Sequence, residues 1–307
     1  CCCGQSLLFS RARTFLRLIS DIPMQILNTR DELQDLRAQV RRDGKKIGLV
    51  PTMGNLHQGH LALVDAAIKD CDFVLASIFA NPLQFGLEEN FENYPKTPES
   101  DYEKLEQSGC NVVFEPSVLE LYPDGLDNQT QVTVPGLSER HCGVSRPVHF
   151  SGVCTVVSKL FNLTMPDTAF FGQKDYQQLQ IIRKMTADLC LPIKVVGVPT
   201  VRDNNGLAMS SRNNYLDNSQ LLIASNLYTS LEQAKVKVEE GERDYSVLEA
   251  QAIEFQTQIG LKTDYFSICN AATLEPATQT DLHLVILTAA WLSPTRLIDN
   301  IQVKLSN

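Results

Sequence analysis

The 307-residue chain lacks a basic surplus. Lys and Arg total 27 against 36 Asp and Glu, which gives a formal net charge of −9. Phosphate contacts carry most of the affinity of a nucleic-acid binder, so this balance argues against a large polyanion as the main partner. A small anion held in a focused site stays open. No apolar run approaches the ~20 residues that a membrane helix needs, so no membrane span is expected. The nine cysteines, at 1, 2, 3, 71, 110, 142, 154, 190 and 269, are odd in number, scattered and free of any CxxC. That speaks against a disulfide framework and a zinc ribbon, and fits reduced thiols in a cytoplasmic protein. Neither GxxxxGK[ST] nor GxGxxG occurs, which excludes a P-loop and a dinucleotide fingerprint. HExxH is also missing.

What is present is ordinary globular chemistry: 43% hydrophobic and 21% charged residues. The length suggests about two domains with a sizeable core. Residues 1–23 stand apart. They carry Arg11, Arg13 and Arg17 with no acid before Asp21, and read as a leader or a start-site extension ahead of Met24, expected to be disordered. From 24 to 199, apolar runs (Ile47–Val50, Phe73–Phe79, Val112–Phe114, Thr168–Phe171, Lys194–Val198) alternate with helical patterns (Leu61–Lys69, Asp101–Gln107, Val153–Asn162, Tyr176–Asp188). Such alternation implies βαβ crossovers and a mostly parallel sheet. From 200 to 307 two amphipathic helices and two late strands, near Tyr265–Cys269 and His283–Leu287, suggest a smaller α+β domain.

Four segments carry chemistry, three of them at the carboxyl end of a predicted strand, where open α/β sheets bind ligands. Met53-Gly54-Asn55-Leu56-His57-Gln58-Gly59-His60 opens a helix. Its glycines allow close backbone approach, helix N-termini favour phosphate, and imidazoles can donate to developing charge. Half a metal site or a plain structural turn are the alternatives for HxxH. Asn81-Pro82-Leu83-Gln84 follows FVLASIF and offers amides for hydroxyl or carboxylate groups, or is only a turn. Gly172-Gln173-Lys174-Asp175 starts a helix in which Asp175 can be the N-cap, Lys174 can meet a phosphate, and Gln178 would face the same mouth. Met209-Ser210-Ser211-Arg212 reads as a compact anion-binding loop beyond the turn Asp203–Gly206.

Together, HQGH at 57–60 and MSSR at 209–212 resemble the HxGH and KMSKS-type pair of the nucleotidyltransferase superfamily that includes class I aminoacyl-tRNA synthetases. PTMGNLHQGH, SIFANPLQFG, SRPVHFSGV, FFGQKDYQQ, LAMSSRN and TRLIDN, in this order, resemble more closely still the pantothenate synthetase (pantoate–β-alanine ligase) family, over about residues 24–301. The resemblance implies an α/β fold with a Rossmann-like domain and a smaller C-terminal lid, in a cytoplasmic homodimer. It implies ATP-dependent condensation of pantoate with β-alanine through pantoyl adenylate, with Mg²⁺ accompanying ATP and no organic cofactor, nucleic acid or membrane partner. Residues 53–60, Gly172–Asp175, Val201 and Met209–Arg212 would then bind ATP. His57, His60, Lys174 and Arg212 would act on the phosphates, with His60 as the proton-donating group. Gln84 and Gln178 would bind pantoate, and Asp101 would be an outer metal ligand.

Three positions depart from that family's pattern: Val148 in SRPVHF, usually glycine; Ala290–Ser293 before TRLIDN; and Asn205, commonly acidic. A valine where positive φ is needed would strain the loop carrying Arg146 and His149. Another adenylyltransferase of the superfamily, a non-catalytic nucleotide-binding module and a metal hydrolase are the competing readings.

Overall fold

Strand and helix alternate through the first two thirds of the chain because apolar, β-branched runs are each followed by an amphipathic segment. The computed structural model describes residues 23–86, 91–92 and 94–306; residues 1–22 of the expected leader lie outside the described residues. Six parallel strands form one sheet in the order β1-β4-β3-β2-β5-β6. They are β1 (Gln25–Leu27), β2 (Ile47–Thr52), β3 (Phe73–Ile78), β4 (Val112–Phe114), β5 (Thr168–Gly172) and β6 (Lys194–Val198). The inner strands are almost continuously buried, as a sheet covered on both faces requires. Its covering helices are α1 (Arg30–Arg42), α2 (Gln58–Asp70), α3 (Pro98–Gln107), α4 (His149–Thr164) and α5 (Tyr176–Asp188). From β2 the order runs through β3 to β4 on one side, while β5 and β6 lie on the other. The carboxyl ends of β2 and β5 therefore flank the topological switch point, the crevice where such sheets bind ligands.

The second unit is an antiparallel sheet, β7 (Lys262–Asn270), β8 (His283–Leu292) and β9 (Thr295–Lys304). Two helices pack with it, α6 (Asn218–Glu239) and α7 (Tyr245–Gln258), through Leu231, Leu248, Phe266 and Ile286. Gly260, φ +88, ends α7, and the Leu261 N–H bonds back to the Gln256 carbonyl. The fold is thus α/β with a smaller α+β part. A division at 199–200 is a proposal about folding units; the two sheets lie on either side of it.

Several sequence expectations need correction. β1, α1 and β9 were not anticipated. α2 begins at Gln58, not at Leu61, so the HQGH segment lies at the helix start itself. Asp175 occupies the N-cap position of α5, but its side chain makes no capping bond. Val148 has φ −90 and ψ −13, ordinary right-handed backbone, so the strain anticipated for a valine there does not arise.

Candidate active site

β2 ends at Thr52, and the next residues turn sharply. Gly54 (φ +82) and Asn55 (φ +52) both take left-handed conformations. The turn aims the N–H groups of Asn55 and Leu56 at the carboxylate of Asp101 on α3, at 2.7 and 2.8 Å. Lys104, one turn along α3, donates to the Leu56 carbonyl at 2.8 Å. Thr97 Oγ1 donates to Asp101 as well. Asp101 is buried with both oxygens engaged. This fits an anchor for the loop better than an outer metal ligand. Among the described residues no three His, Cys, Asp or Glu side chains gather in metal-binding geometry.

The loop delivers two imidazoles to the start of α2. His57 Nδ1 accepts the Gly59 N–H at 3.1 Å, and His60 Nδ1 accepts the His57 N–H at 3.3 Å. The rings lie 4.1 Å apart, centroid to centroid. A neutral imidazole that accepts at Nδ1 carries its proton on Nε2. Burial pushes the His57 pKa down to about 4, helped by the Lys174 charge. Burial, then the neighbouring His57, takes His60 to about 3. Both rings are therefore neutral at pH 7. They suit hydrogen-bond donation from Nε2–H to growing negative charge, rather than transfer of a proton.

Gln84 comes from the turn after β3. Its Nε2 lies 2.9 Å from Met53 Sδ, which joins this segment to the first. The Gln84 carbonyl accepts from His149 Nδ1 at 2.9 Å and from Arg146 at 3.5 Å. Buried Asn81 donates to the Gly152 carbonyl on α4 at 3.0 Å and accepts from the Tyr122 hydroxyl at 2.8 Å. Gly152 is what lets α4 approach: a Cβ there would sit 2.3 Å from the Leu83 carbonyl oxygen.

Across the switch point, β5 leads into a short turn, Gln173–Asp175, that carries a half-buried Lys174. Lys174 is close enough to lower the pKa of both histidines. Gln178, one turn into α5, is half-buried. Val201 and Met209 meet in a small hairpin, where the Met209 N–H donates to the Val201 carbonyl at 2.9 Å. Gly206, φ +86, makes its turn against the Tyr228 ring. Ser210 then caps the short helix Ser211–Tyr215 through the Arg212 N–H. A Cβ on Gly59 would be 3.8 Å from Met209 Cβ, so the two superfamily-like motifs adjoin. A small cavity lined by Lys174, Ser210, Arg212, Arg296 and Asp299 lies beside them. Arg212 itself is exposed.

The structure also contributes residues that the sequence reading passed over. Tyr94 packs edge-on to Phe85, and its hydroxyl feels Ser211 and Arg212, which brings the Gln84 segment near the Met209–Arg212 loop. Lys104, Tyr122 and Asn300 act as supports. Their side-chain contacts are all long-range; Asn300 closes the TRLIDN segment, whereas no local motif marks Lys104 or Tyr122.

Comparisons with known proteins show the family. The model of the pantoate-beta-alanine ligase family matches residues 25–302. A pantothenate synthetase of Pseudomonas fluorescens is 54% identical over 282 residues, covering 91% of this chain and 99% of that protein. One from Hahella chejuensis is 52% identical over 276 residues, covering 89% and 98%. Among solved structures, the Thermus thermophilus pantothenate synthetase has a TM-score of 0.85 at 41% identity, covering 91% of this chain and 99% of that one. A Francisella tularensis pantoate-beta-alanine ligase complexed with beta-gamma ATP and beta-alanine gives 0.75 at 32% identity, covering 91% and 97%. Matched along nearly its whole length in sequence and in backbone, the chain belongs to the pantoate–β-alanine ligase family.

Proposed function

We propose that this chain condenses pantoate with β-alanine in two steps. A pantoate carboxylate oxygen attacks the α-phosphorus of ATP, an O–P bond forms, and pyrophosphate leaves. The β-alanine amine then attacks the carbonyl of pantoyl adenylate. A C–N bond forms, AMP leaves with the bridging oxygen, and the amine gives up a proton. The observation that carries this reading is the switch-point crevice, where two neutral Nε2–H donors and Lys174 stand beside the Met209–Arg212 loop. The first step needs in-line positioning and cover for spreading charge more than acid–base chemistry.

Within this reading, residues 53–60 and Gly172–Asp175 take the nucleotide and Val201 lies beside adenine. Ser210 and Ser211 donate to phosphate, and Lys174 and Arg212 offset its charge. His57 and His60 donate hydrogen bonds, and Gln84 and Gln178 orient pantoate. Mg²⁺ would come in with ATP: a small hard cation is usually held by substrate phosphates and water, and would reduce charge on the phosphate oxygens. Among the described residues the side chains build no cage of their own for it. A cytoplasmic homodimer belongs to the same proposal; no helix among the described residues is long and apolar enough to cross a membrane.

The test is pyrophosphate release from ATP with and without pantoate. Pantoate-dependent release, with AMP and pantothenate formed once β-alanine is added, is the expected result. Release that ignores pantoate but responds to another acceptor would favour a different adenylyltransferase.

A further inference from the structure

We infer that Asn300, on the last strand of the second sheet, is a positioning residue for Lys174. This rests on the reading that Lys174 meets the phosphates of ATP. The turn Gln173–Asp175 is too short to satisfy its own carbonyls. Asn300 Nδ2 donates to the Gln173 carbonyl at 2.9 Å and to the Lys174 carbonyl at 2.8 Å. An amide NH₂ has two hydrogens, so both bonds form together, and the residue is 5% exposed. Asn300 thus grips the backbone of the lysine from another domain-scale element, leaving the ammonium free to point at its target.

Asn300 is itself held from behind. Its N–H donates to Asp299 at 2.8 Å. Asp299 receives both arms of Arg202, at 2.6 and 3.0 Å, a bidentate pair that is nearly dry. The same guanidinium donates to the Asn300 carbonyl at 3.3 Å and to the Gly206 carbonyl at 3.0 Å, and stacks 3.6 Å over Tyr228. One half-buried cation therefore fixes both the strand that carries Asn300 and the hairpin that leads into Met209–Arg212. Buried ion pairs of this kind contribute little net stability. What this one does supply is geometry: it sets Lys174 and the Ser210–Arg212 loop in register around one cavity that both line.

Single-turnover formation of pantoyl adenylate tests the inference in four proteins: wild type, Asn300→Ala, Lys174→Ala and the double variant. Asn300→Ala should slow adenylation about 10–100-fold, the scale of an ångström-sized misplacement, with the KM for ATP within about threefold. In the Lys174→Ala background the same change should cost less than about threefold, because the group it positions is gone. A general structural role would repeat its full loss in both backgrounds, and that outcome overturns the inference. So does an Asn300→Ala variant within about twofold of the wild-type rate. Should Asn300→Ala not fold by circular dichroism, Asn300→Ser takes its place, since one hydroxyl proton cannot serve two carbonyls, under the same criteria. Wild-type protein that shows no pantoate-dependent pyrophosphate release would remove the ligase reading and this inference with it. An active wild type with an indifferent Asn300 variant removes the inference alone.

Discussion

Gly152→Ala is a one-methyl perturbation with two separable consequences. The added Cβ would lie 2.3 Å from the Leu83 oxygen, 2.5 Å from its carbonyl carbon and 2.6 Å from the Gln84 nitrogen. All three are backbone atoms, so no side chain can swing aside. Reaching ordinary contact distance requires α4 and the Pro82–Gln84 turn to part by about 1 Å. Overpacking of that kind costs about 1–3 kcal/mol, which in a domain of this size lowers Tm by about 2–4 °C per kcal/mol. The same shift loosens the Asn81–Gly152 bond and moves Gln84 away from Met53. Misplacing a substrate-positioning group by about 1 Å costs on the order of 10²-fold in rate. The loss should fall on kcat/KM for pantoate, with the KM for ATP little changed, because the nucleotide segments hang on other strands. Steady-state kinetics varying each substrate, together with a melting curve, read both effects. Wild-type kcat/KM for pantoate at an unchanged Tm would refute the claim that α4 holds the pantoate side in place.

The remaining predictions concern charge, protons and strain. Lys174→Ala or His60→Ala should each lower the adenylation rate by about 10²-fold or more, measured in single turnover; a variant at the wild-type rate leaves the catalytic set. Histidine ¹⁵N NMR of the free protein should show His57 and His60 neutral at pH 6, protonated on Nε2, and titrating only near 4 and 3; a midpoint near 6.5 contradicts the burial argument. Both folded-state values lie below that of a free imidazole, so the unfolded chain takes up protons first. Their contribution to stability is whole above about pH 6.5 and is lost as pH falls toward 4 and then 3, which denaturant titrations at pH 7.5 and pH 5 would follow. Ser293, φ +53 in the β8–β9 turn, pays for a conformation that glycine takes freely, so Ser293→Gly should stabilise by about 0.5–1 kcal/mol in urea denaturation with activity unaltered.

How much of this was legible in the chain follows from where the information lies. Val112–Phe114, Lys194–Val198 and Tyr176–Asp188 match their apolar patterns residue for residue, because apolar strands and a one-faced helix write their environment locally. β1 is three residues at a sheet edge, too short and too exposed to give a pattern. α1 was readable after all: Thr29 and Glu32 form a capping box, and acids then bases fill its first and last turns. β9 escaped because it carries Arg296, Asp299 and Asn300, polar groups that become acceptable in a strand only once partners from elsewhere arrive. At the candidate site the four motifs were visible as motifs, since each is a contiguous segment and three of them directly follow a strand. Their supports were not. Asp101 enters the sequence reading only through the resemblance, as an outer metal ligand; its role as an anchor depends on the loop that arrives from residues 54–56. Asn300 likewise acquires its role from a turn far away in sequence.

The central claim is that a pantoate carboxylate oxygen attacks the α-phosphorus. Turnover with carboxylate-¹⁸O-labelled pantoate, ATP and β-alanine tests it directly, by mass spectrometry of the products. One labelled oxygen should appear in AMP and one should stay in pantothenate, because the bridging oxygen of the adenylate departs with the nucleotide. Label in inorganic phosphate together with ADP, or AMP free of label, would contradict the account.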